Sequence, residues 1–455
     1  MSVSITPTIF RAYDIRGVYG ETITEAVARV LGRAFAEYMG PSSSIVVGRD
    51  VRLSSPSLEQ AFTEGLLEGG CDVIKVGLQP TPFVYYGIIE YNAKGGVVVS
   101  ASHNPPNWNG FKLCRERGLL IAEGMGLEEI KRLALQEKFE RRSPGRTVVR
   151  SDLAEKFTAL ILSKVKINDK IKVALDPGNG SCSSVASDIF RRAGIEVVSI
   201  NDRPDGSFPN RAPEPTEENV KPLAELVRRE NCDFGLAFDG DGDRAFFLDE
   251  NGNPLSSDIV LAVFARSYLS QFKGKVLIDV ACSMALEKIV AEMGGTLVVS
   301  RVGHSYMLHK MIQESCLIGG EISGHMYFSE IHGLDDAIFA GLKMAELIAK
   351  EGELSSLVKQ IPHYPATPVI TYPCPDNKKF LVVSRLKREF EGEGYDVLAI
   401  DGVKIRTERG WALVRASNTL PQIKLRFEAL TEPDLQELRQ KVEGKLYQVM
   451  KECID

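Results

Sequence analysis

The chain has no paired cysteines. Its eight, Cys71, Cys114, Cys182, Cys232, Cys282, Cys316, Cys374 and Cys453, stand singly among 455 residues, with no C-x-x-C anywhere. That spacing fits neither a thiolate metal site nor a secreted disulfide scaffold, so reduced thiols are expected. Long apolar runs are missing too, and the start, MSVSITPTIFRAYD, lacks the basic stretch and apolar core of a secretory signal. A cytoplasmic, full-length chain with no membrane partner is the expectation. Basic excess is also absent: the formal net charge is -6, which argues against nucleic acid as a partner. What is present is ordinary globular composition, 44% hydrophobic and 25% charged. At this length the chain should divide into roughly three or four domains of ~100–150 residues.

An approximate pattern recurs three times. Each copy opens with a short apolar run ending in aspartate: Ile45 to Asp50, Ile171 to Asp176 and Lys275 to Asp279. A helical stretch follows (SLEQAFTEGLLEGG, SVASDIFRRAG, MALEKIVAEMGG), closed by glycine, and then a second strand (VIKVG, VVSI, LVVS). Strand, helix, strand at these lengths is a βαβ unit. The expected fold is therefore α/β: three similar α/β domains with mixed, largely parallel sheets. The last ~90 residues break the pattern, with proline-containing chain, a helical KKFLVVSRLKREFEG, short strands and a terminal helix from about Pro433, and read as an α+β domain. The boundaries predicted are 1–151, 152–252, 253–364 and 365–455, around a central cleft.

In each copy a third strand runs into a chemically loaded loop. Val97-Val98-Val99 leads to S-A-S-H-N-P, Leu236-Ala237-Phe238 to D-G-D-G-D-R, and Leu317-Ile318 to G-G-E-I-S-G-H. Ligands of open α/β sheets bind beyond the carboxyl ends of strands, so these loops read as three walls of one site. Asp239, Asp241 and Asp243 alternate along the chain, which on an extended backbone puts three carboxylates on one side. Oxygen ligands alone suit a hard divalent cation, Mg²⁺, Ca²⁺ or Mn²⁺. Arg244 suggests a phosphate beside it. An EF-hand would need glycine where Arg244 stands, and helices where FGLAF and AFFLD look like strands. An aspartyl-phosphate D-x-D-x-T motif would need threonine at Asp243. The Ser102-His103 pair lacks the G-x-S-x-G elbow of a hydrolase. Cation, guanidinium and serine together point instead to phosphoryl transfer. In the last domain Arg415-Ala416-Ser417-Asn418-Thr419 supplies a guanidinium, two hydroxyls and an amide, suited to a phosphate's oxygens.

Taken together, F-R-A-Y-D-I-R-G at residues 10–17, S-A-S-H-N-P, D-G-D-G-D-R, G-E-I-S-G-H and R-A-S-N-T resemble the α-D-phosphohexomutase superfamily, nearly end to end. The first and fourth motifs look most like the phosphomannomutase/phosphoglucomutase branch. Phosphoglucosamine mutases typically carry glutamine where Ile322 stands. The resemblance implies interconversion of hexose 1-phosphate and 6-phosphate, of mannose or glucose, through a phosphoserine and a hexose 1,6-bisphosphate. It implies Ser102 as phosphoryl carrier, with Mg²⁺ held by the Ser102 phosphate, Asp239, Asp241 and Asp243. His103, Lys112, Arg244 and His325 would surround the reacting oxygens, with Lys112 and His325 as candidate proton carriers. Tyr13 and Arg16 would close the cleft; Gly303, His304, Glu321 and Ser323 would meet the sugar; Arg415, Ser417, Asn418 and Thr419 would grip the phosphate that is not reacting. Phosphoglucosamine mutase, and a non-catalytic Ca²⁺- or sugar-phosphate-binding protein, are the alternative readings.

Overall fold

A computed structural model describes residues 3–417 and 421–454. Four sheets follow one another along the chain. At the heart of each of the first three lies the same trio of parallel strands. These are Gly95–Val99, Ser44–Arg49 and Asp72–Leu78; then Phe234–Phe238, Lys172–Asp176 and Glu196–Ser199; then Ile318–Gly320, Lys275–Asp279 and Thr296–Ser300. Each trio has the order third, first, second of the sequence repeat. The sheets are mixed because every third strand turns back into an antiparallel partner: Trp108–Arg115, Ala245–Leu248 and Met326–Phe328. The loops after the third strands are therefore hairpin loops, which their composition had not disclosed.

Burial explains the continuous apolar runs of the trios. Ile45 and Val47 belong to one core of the first sheet and Val46 to another, so neighbouring residues are buried on opposite faces. Strands covered on both sides read as unbroken hydrophobic stretches. The core under Val46 continues without interruption into the second and third sheets through Leu175, Leu236, Leu277 and Ile318. That shared core fixes the three hairpins relative to one another.

The fourth sheet is wholly antiparallel, in the order Ile370–Pro373, Gln422–Ala429, Gly410–Ala416, Val403–Thr407 and Asp396–Leu398. Helices Asp376–Gly392 and Glu432–Ile454 pack on it around a core of its own. It meets the third sheet through Trp411 and Leu413 against Val280 and Ala281. Polar bonds frame that contact: Lys404 Nζ donates to the Val280 carbonyl at 2.9 Å, Met284 N–H to Glu428 Oε2 at 2.7 Å, and Arg426 to Asp258 at 3.1 Å. No helix among the described residues is long and apolar enough to cross a membrane.

Candidate active site

The three strand-end aspartates of the repeat hold the site together. Asp50 accepts from the Arg52 backbone and side chain at 3.0 Å each, and Arg52 then donates to the carbonyls of Ser102 and Asn104 at 2.7 Å each. Asp176 pairs with Arg211 at 2.7 Å, and Arg211 donates to the Phe238 carbonyl, just before the acidic loop, at 2.7 Å. Asp279 accepts directly from Ile322 N–H at 3.0 Å within the G-E-I-S-G-H loop. Each strand end thus braces the loop of its neighbouring third strand. Arg52 and Arg211 were not singled out from the sequence; the aspartates that close the three repeats were the available signal.

Ser102 is buried, with φ of +50°, in the left-handed region that a serine rarely adopts. Its N–H donates to Ser100 Oγ at 2.8 Å, and its Oγ lies 2.9 Å from Asp239 Oδ2 and 3.2 Å from His103 Nδ1. The acidic loop departs from the expected extended chain: residues 239–243 form a turn, with Gly242 at φ +79° and both Gly242 N–H and Arg244 N–H donating to Asp239 Oδ1. A hairpin must reverse within a few residues, and Gly242 takes the positive φ this needs. The carboxylates still converge. Asp239, Asp241 and Asp243 are all buried, with ligand oxygens within 4.8 Å of one another.

Lys112, on the return strand, places Nζ 2.7 Å from Asp241 and 2.5 Å from Asp243. Burial opposes its charge, yet those carboxylates hold the ammonium above its ordinary range. Burial likewise pushes Asp241 and Asp243 upward, but Lys112 wins and both stay below the usual carboxylate range. Asp239 goes the other way: burial and the charges of Asp243 and Asp241 raise it well above normal. With Asp239 so raised, the Lys112 ammonium still faces two buried, ionised carboxylates. Asp241 Oδ1 and Asp243 Oδ1 have no hydrogen-bond partner among the described residues, the condition expected of oxygens that a hard cation would take up.

Arg244 and His325 stand where the second and third hairpins turn back, and the two residues form a β-bridge. Arg244 Nε donates to His325 Nε2 at 3.1 Å, so the ring proton is on Nδ1, which donates to Asp335 Oδ2 at 2.7 Å. Asp335 also meets His304 Nε2 at 3.1 Å, and the two imidazoles stack with centroids 4.9 Å apart. Burial lowers the His304 pKa, but Asp335 outweighs it and leaves the ring above its normal value. For His103, burial and the Arg244 and Arg16 charges act together and keep it well below normal, hence neutral. Asp335 follows no recognisable motif and was not anticipated.

A cavity of ≈ 120 Å³ joins these groups, lined by Tyr13, Arg16, Ser102, Lys112, Asp243, Arg244, Gly303, His304, Glu321, Ser323 and His325 among others. Arg16 reaches Asp14 and Asn104 at 2.6 Å each. Tyr13 packs its ring on Gly303 and donates to the Val302 carbonyl at 3.0 Å. Glu321 is buried and accepts from Tyr327 OH at 2.7 Å and Gly303 N–H at 3.0 Å, while Ser323 is exposed.

Arg415 and Ser417 do not line that cavity. Arg415 pairs with Asp401 at 3.0 Å, and Asp401 accepts from Val302 N–H, linking the fourth sheet to the Tyr13 contact. Lys424 lies opposite Arg415 across the strand pair; burial and the charges of Arg415 and Arg244 lower its pKa. Arg415 and Lys424 thus bring two cationic side chains together, and Lys424 was not read from the sequence. Ser417 is buried; Asn418 and Thr419 lie outside the described residues.

Comparison with known proteins agrees with this geometry. Four successive family models, described as phosphoglucomutase/phosphomannomutase alpha/beta/alpha domains I, II and III and C-terminal domain, match residues 7–141, 152–252, 256–364 and 370–445. A phosphomannomutase/phosphoglucomutase of Pseudomonas aeruginosa is 37% identical over 453 residues, 96% of each chain. A probable phosphoglucosamine mutase of Methanothermobacter thermautotrophicus is 34% identical, covering 98% of this chain and 99% of its own. The crystal structure of a phosphoglucomutase/phosphomannomutase family protein of Burkholderia thailandensis superposes with a TM-score of 0.90 at 32% identity over 98% of both chains. With four domain models in order and full-length relatives above 30% identity, the chain belongs to the phosphoglucomutase/phosphomannomutase family.

Proposed function

We propose that the chain moves a phosphoryl group between C1 and C6 of a hexose phosphate, of mannose or glucose, with Ser102 as the carrier. The observation that carries this is the placement of Ser102 Oγ 2.9 Å from Asp239, on a loop that abuts two further buried carboxylates with free oxygens. A serine so placed has the surroundings a phosphoserine needs. Asp239, Asp241, Asp243 and the phosphorylated Ser102 would hold Mg²⁺, which when bound offsets phosphate and carboxylate charge. The phosphoserine passes its group to the free hydroxyl of a hexose 1- or 6-phosphate, giving the 1,6-bisphosphate. The bisphosphate turns round and returns its other phosphate to Ser102.

Arg244 and Arg16 stabilise charge on the moving group, as their position around the Ser102 cavity supports. Of the two proton carriers read from the sequence, His325 takes the proton of the attacking hydroxyl, Asp335 fixing its Nδ1–H tautomer, while Lys112, held as an ammonium by Asp241 and Asp243, stabilises charge. His103 stays neutral beside Ser102. Glu321 and Ser323, with Gly303, His304 and Tyr13, meet the sugar in both orientations. Arg415, Ser417, Asn418, Thr419 and Lys424 take the distant phosphate. We assign the domains as 1–151, 152–252, 253–364 and 365–455, which the four sheets support. Eight buried cysteines without a disulfide fit a cytoplasmic protein.

The decisive experiment is intact mass and turnover of the wild type and Ser102→Ala. Wild type heavier by one phosphate on Ser102, with mutase activity that the variant loses, is the expected result. Full activity in Ser102→Ala would refute the mechanism. Kinetics on mannose 1-phosphate, glucose 1-phosphate and glucosamine 6-phosphate then decide the sugar, the last being the substrate if the likeness to the Methanothermobacter protein extends to function.

A further inference from the structure

Between the strand Glu196–Ser199 and the helix Lys221–Glu230 runs a long loop that none of the site motifs includes. It contains Phe208, whose φ of +51° is out of the ordinary for a bulky aromatic side chain, and whose ring is nevertheless buried. Strain of this kind persists only where the surroundings impose it. Two contacts do so here. The Arg52 guanidinium lies over the Phe208 ring, 5.3 Å from its centroid, and Arg52 also forms a β-bridge with Gly206 of the same loop. The same ring reaches Gly240 in the acidic loop, where a Cβ would lie 3.5 Å from Phe208 Cε1. Arg52 is completely buried and spends its remaining donors on the carbonyls of Ser102, Asn104, Pro105 and Trp108. Three residues further on, Arg211 ties the same loop to the carbonyl of Phe238.

We propose that Phe208 is a positioning residue for phosphoryl transfer: a spacer between Arg52, which holds the Ser102 loop, and Gly240, within the carboxylate loop. The assignment rests on the reading of Ser102 as phosphoryl carrier. Ser102 and Asp239 belong to different sheets, and although their loops touch at Gly240, the angle at which they meet depends on what packs beside that contact. Phe208 packs there, and it does not line the cavity that would receive the sugar. Its removal should therefore disturb the approach of nucleophile to carboxylates and leave substrate and cation binding alone.

The test compares wild type, Phe208→Ala and Phe208→Leu well below their unfolding midpoints. The measurements are kcat and KM for glucose 1-phosphate, the Mn²⁺ dissociation constant by electron paramagnetic resonance, and the single-turnover rate of Ser102 phosphorylation by glucose 1,6-bisphosphate. Phe208→Ala should lower kcat and the phosphorylation rate by roughly 100-fold, the effect of a misplacement of about 1 Å, with KM and Mn²⁺ affinity within about twofold of wild type. Phe208→Leu, which restores bulk, should recover roughly tenfold of that loss or more. Unchanged kcat in Phe208→Ala overturns the assignment. So does a loss shared equally by kcat, KM and Mn²⁺ affinity, which would mark a general packing defect. Should the alanine variant fail to accumulate, Phe208→Val is read by the same criteria. A wild-type chain that takes no phosphate on Ser102 overturns the mutase reading itself, whereas a phosphorylated wild type with an indifferent Phe208→Ala overturns this assignment alone.

Discussion

Gly240 faces the carbonyl oxygen of Ser102 so closely that a Cβ at residue 240 would stand 2.6 Å from it. The Ser102 loop and the carboxylate loop touch backbone to backbone, and glycine is what allows it. Gly240→Ala should force the two apart and lower kcat by about 100-fold, as expected for a misplacement of about 1 Å, with KM little changed. Steady-state kinetics with glucose 1-phosphate check this; an undiminished kcat would mean that the loops have slack.

Arg211 is buried against Asp176 and gives hydrogen bonds to the Asp176 and Phe238 carbonyls as well. Arg211→Met would leave Asp176 as an uncompensated buried charge. The expected loss of folding stability is about 3–5 kcal/mol, measured by urea unfolding. Arg211→Lys should recover only part, because a lysine does not reproduce the fork that reaches four acceptors.

Asp336 caps the helix Ala337–Glu351 through Phe339 N–H, while its Oδ2 is buried without a partner among the described residues. Burial pushes its pKa up to about 8 from an ordinary 3.8, the Phe339 N–H opposing and the neighbouring Asp335 reinforcing the rise. A carboxyl raised on folding keeps its proton while the unfolded chain has lost it. Stability therefore falls as pH rises from 3.8 to about 8 and levels off above. Asp336→Asn keeps the cap and removes the titration. Its unfolding midpoint should exceed that of wild type at pH 8, and the difference should shrink at pH 5.

Mg²⁺ should stabilise the fold as well as support turnover. At 100 times its dissociation constant a ligand specific to the native state adds ~2.7 kcal/mol. The unfolding midpoint of chelator-treated protein should rise on adding Mg²⁺, and in Asp243→Asn the rise should be largely lost. Equal shifts in both proteins would place the ion elsewhere.

Much of the site was legible because its chemistry is concentrated at strand ends. The triple aspartate, Ser102, Glu321 and Arg415 each follow an apolar run, and the position of the run locates the loop. Extended alternation was the wrong geometry for Asp239 to Asp243, since a tight reversal into Ala245–Leu248 needs a turn there. Other residues carry no such mark. Asp335 serves two histidines from a loop beyond the Met326–Phe328 strand, and Asp401 reaches Arg415 from another turn of the fourth sheet. Arg52 and Arg211 look like surface cations until the fold buries them. Their roles depend on tertiary placement, which local pattern does not encode.

The return strands make the site a shared structure. Lys112, Arg244 and His325 ride on three separate sheets, and Arg244 meets His325 only when the second and third hairpins are docked. A segment bearing Ser102 alone would have a hydroxyl without its neighbouring carboxylate Asp239, and one bearing the three aspartates would lack both Ser102 and Lys112. The convergence of these side chains is thereby a property of the docked sheets and of no one of them alone.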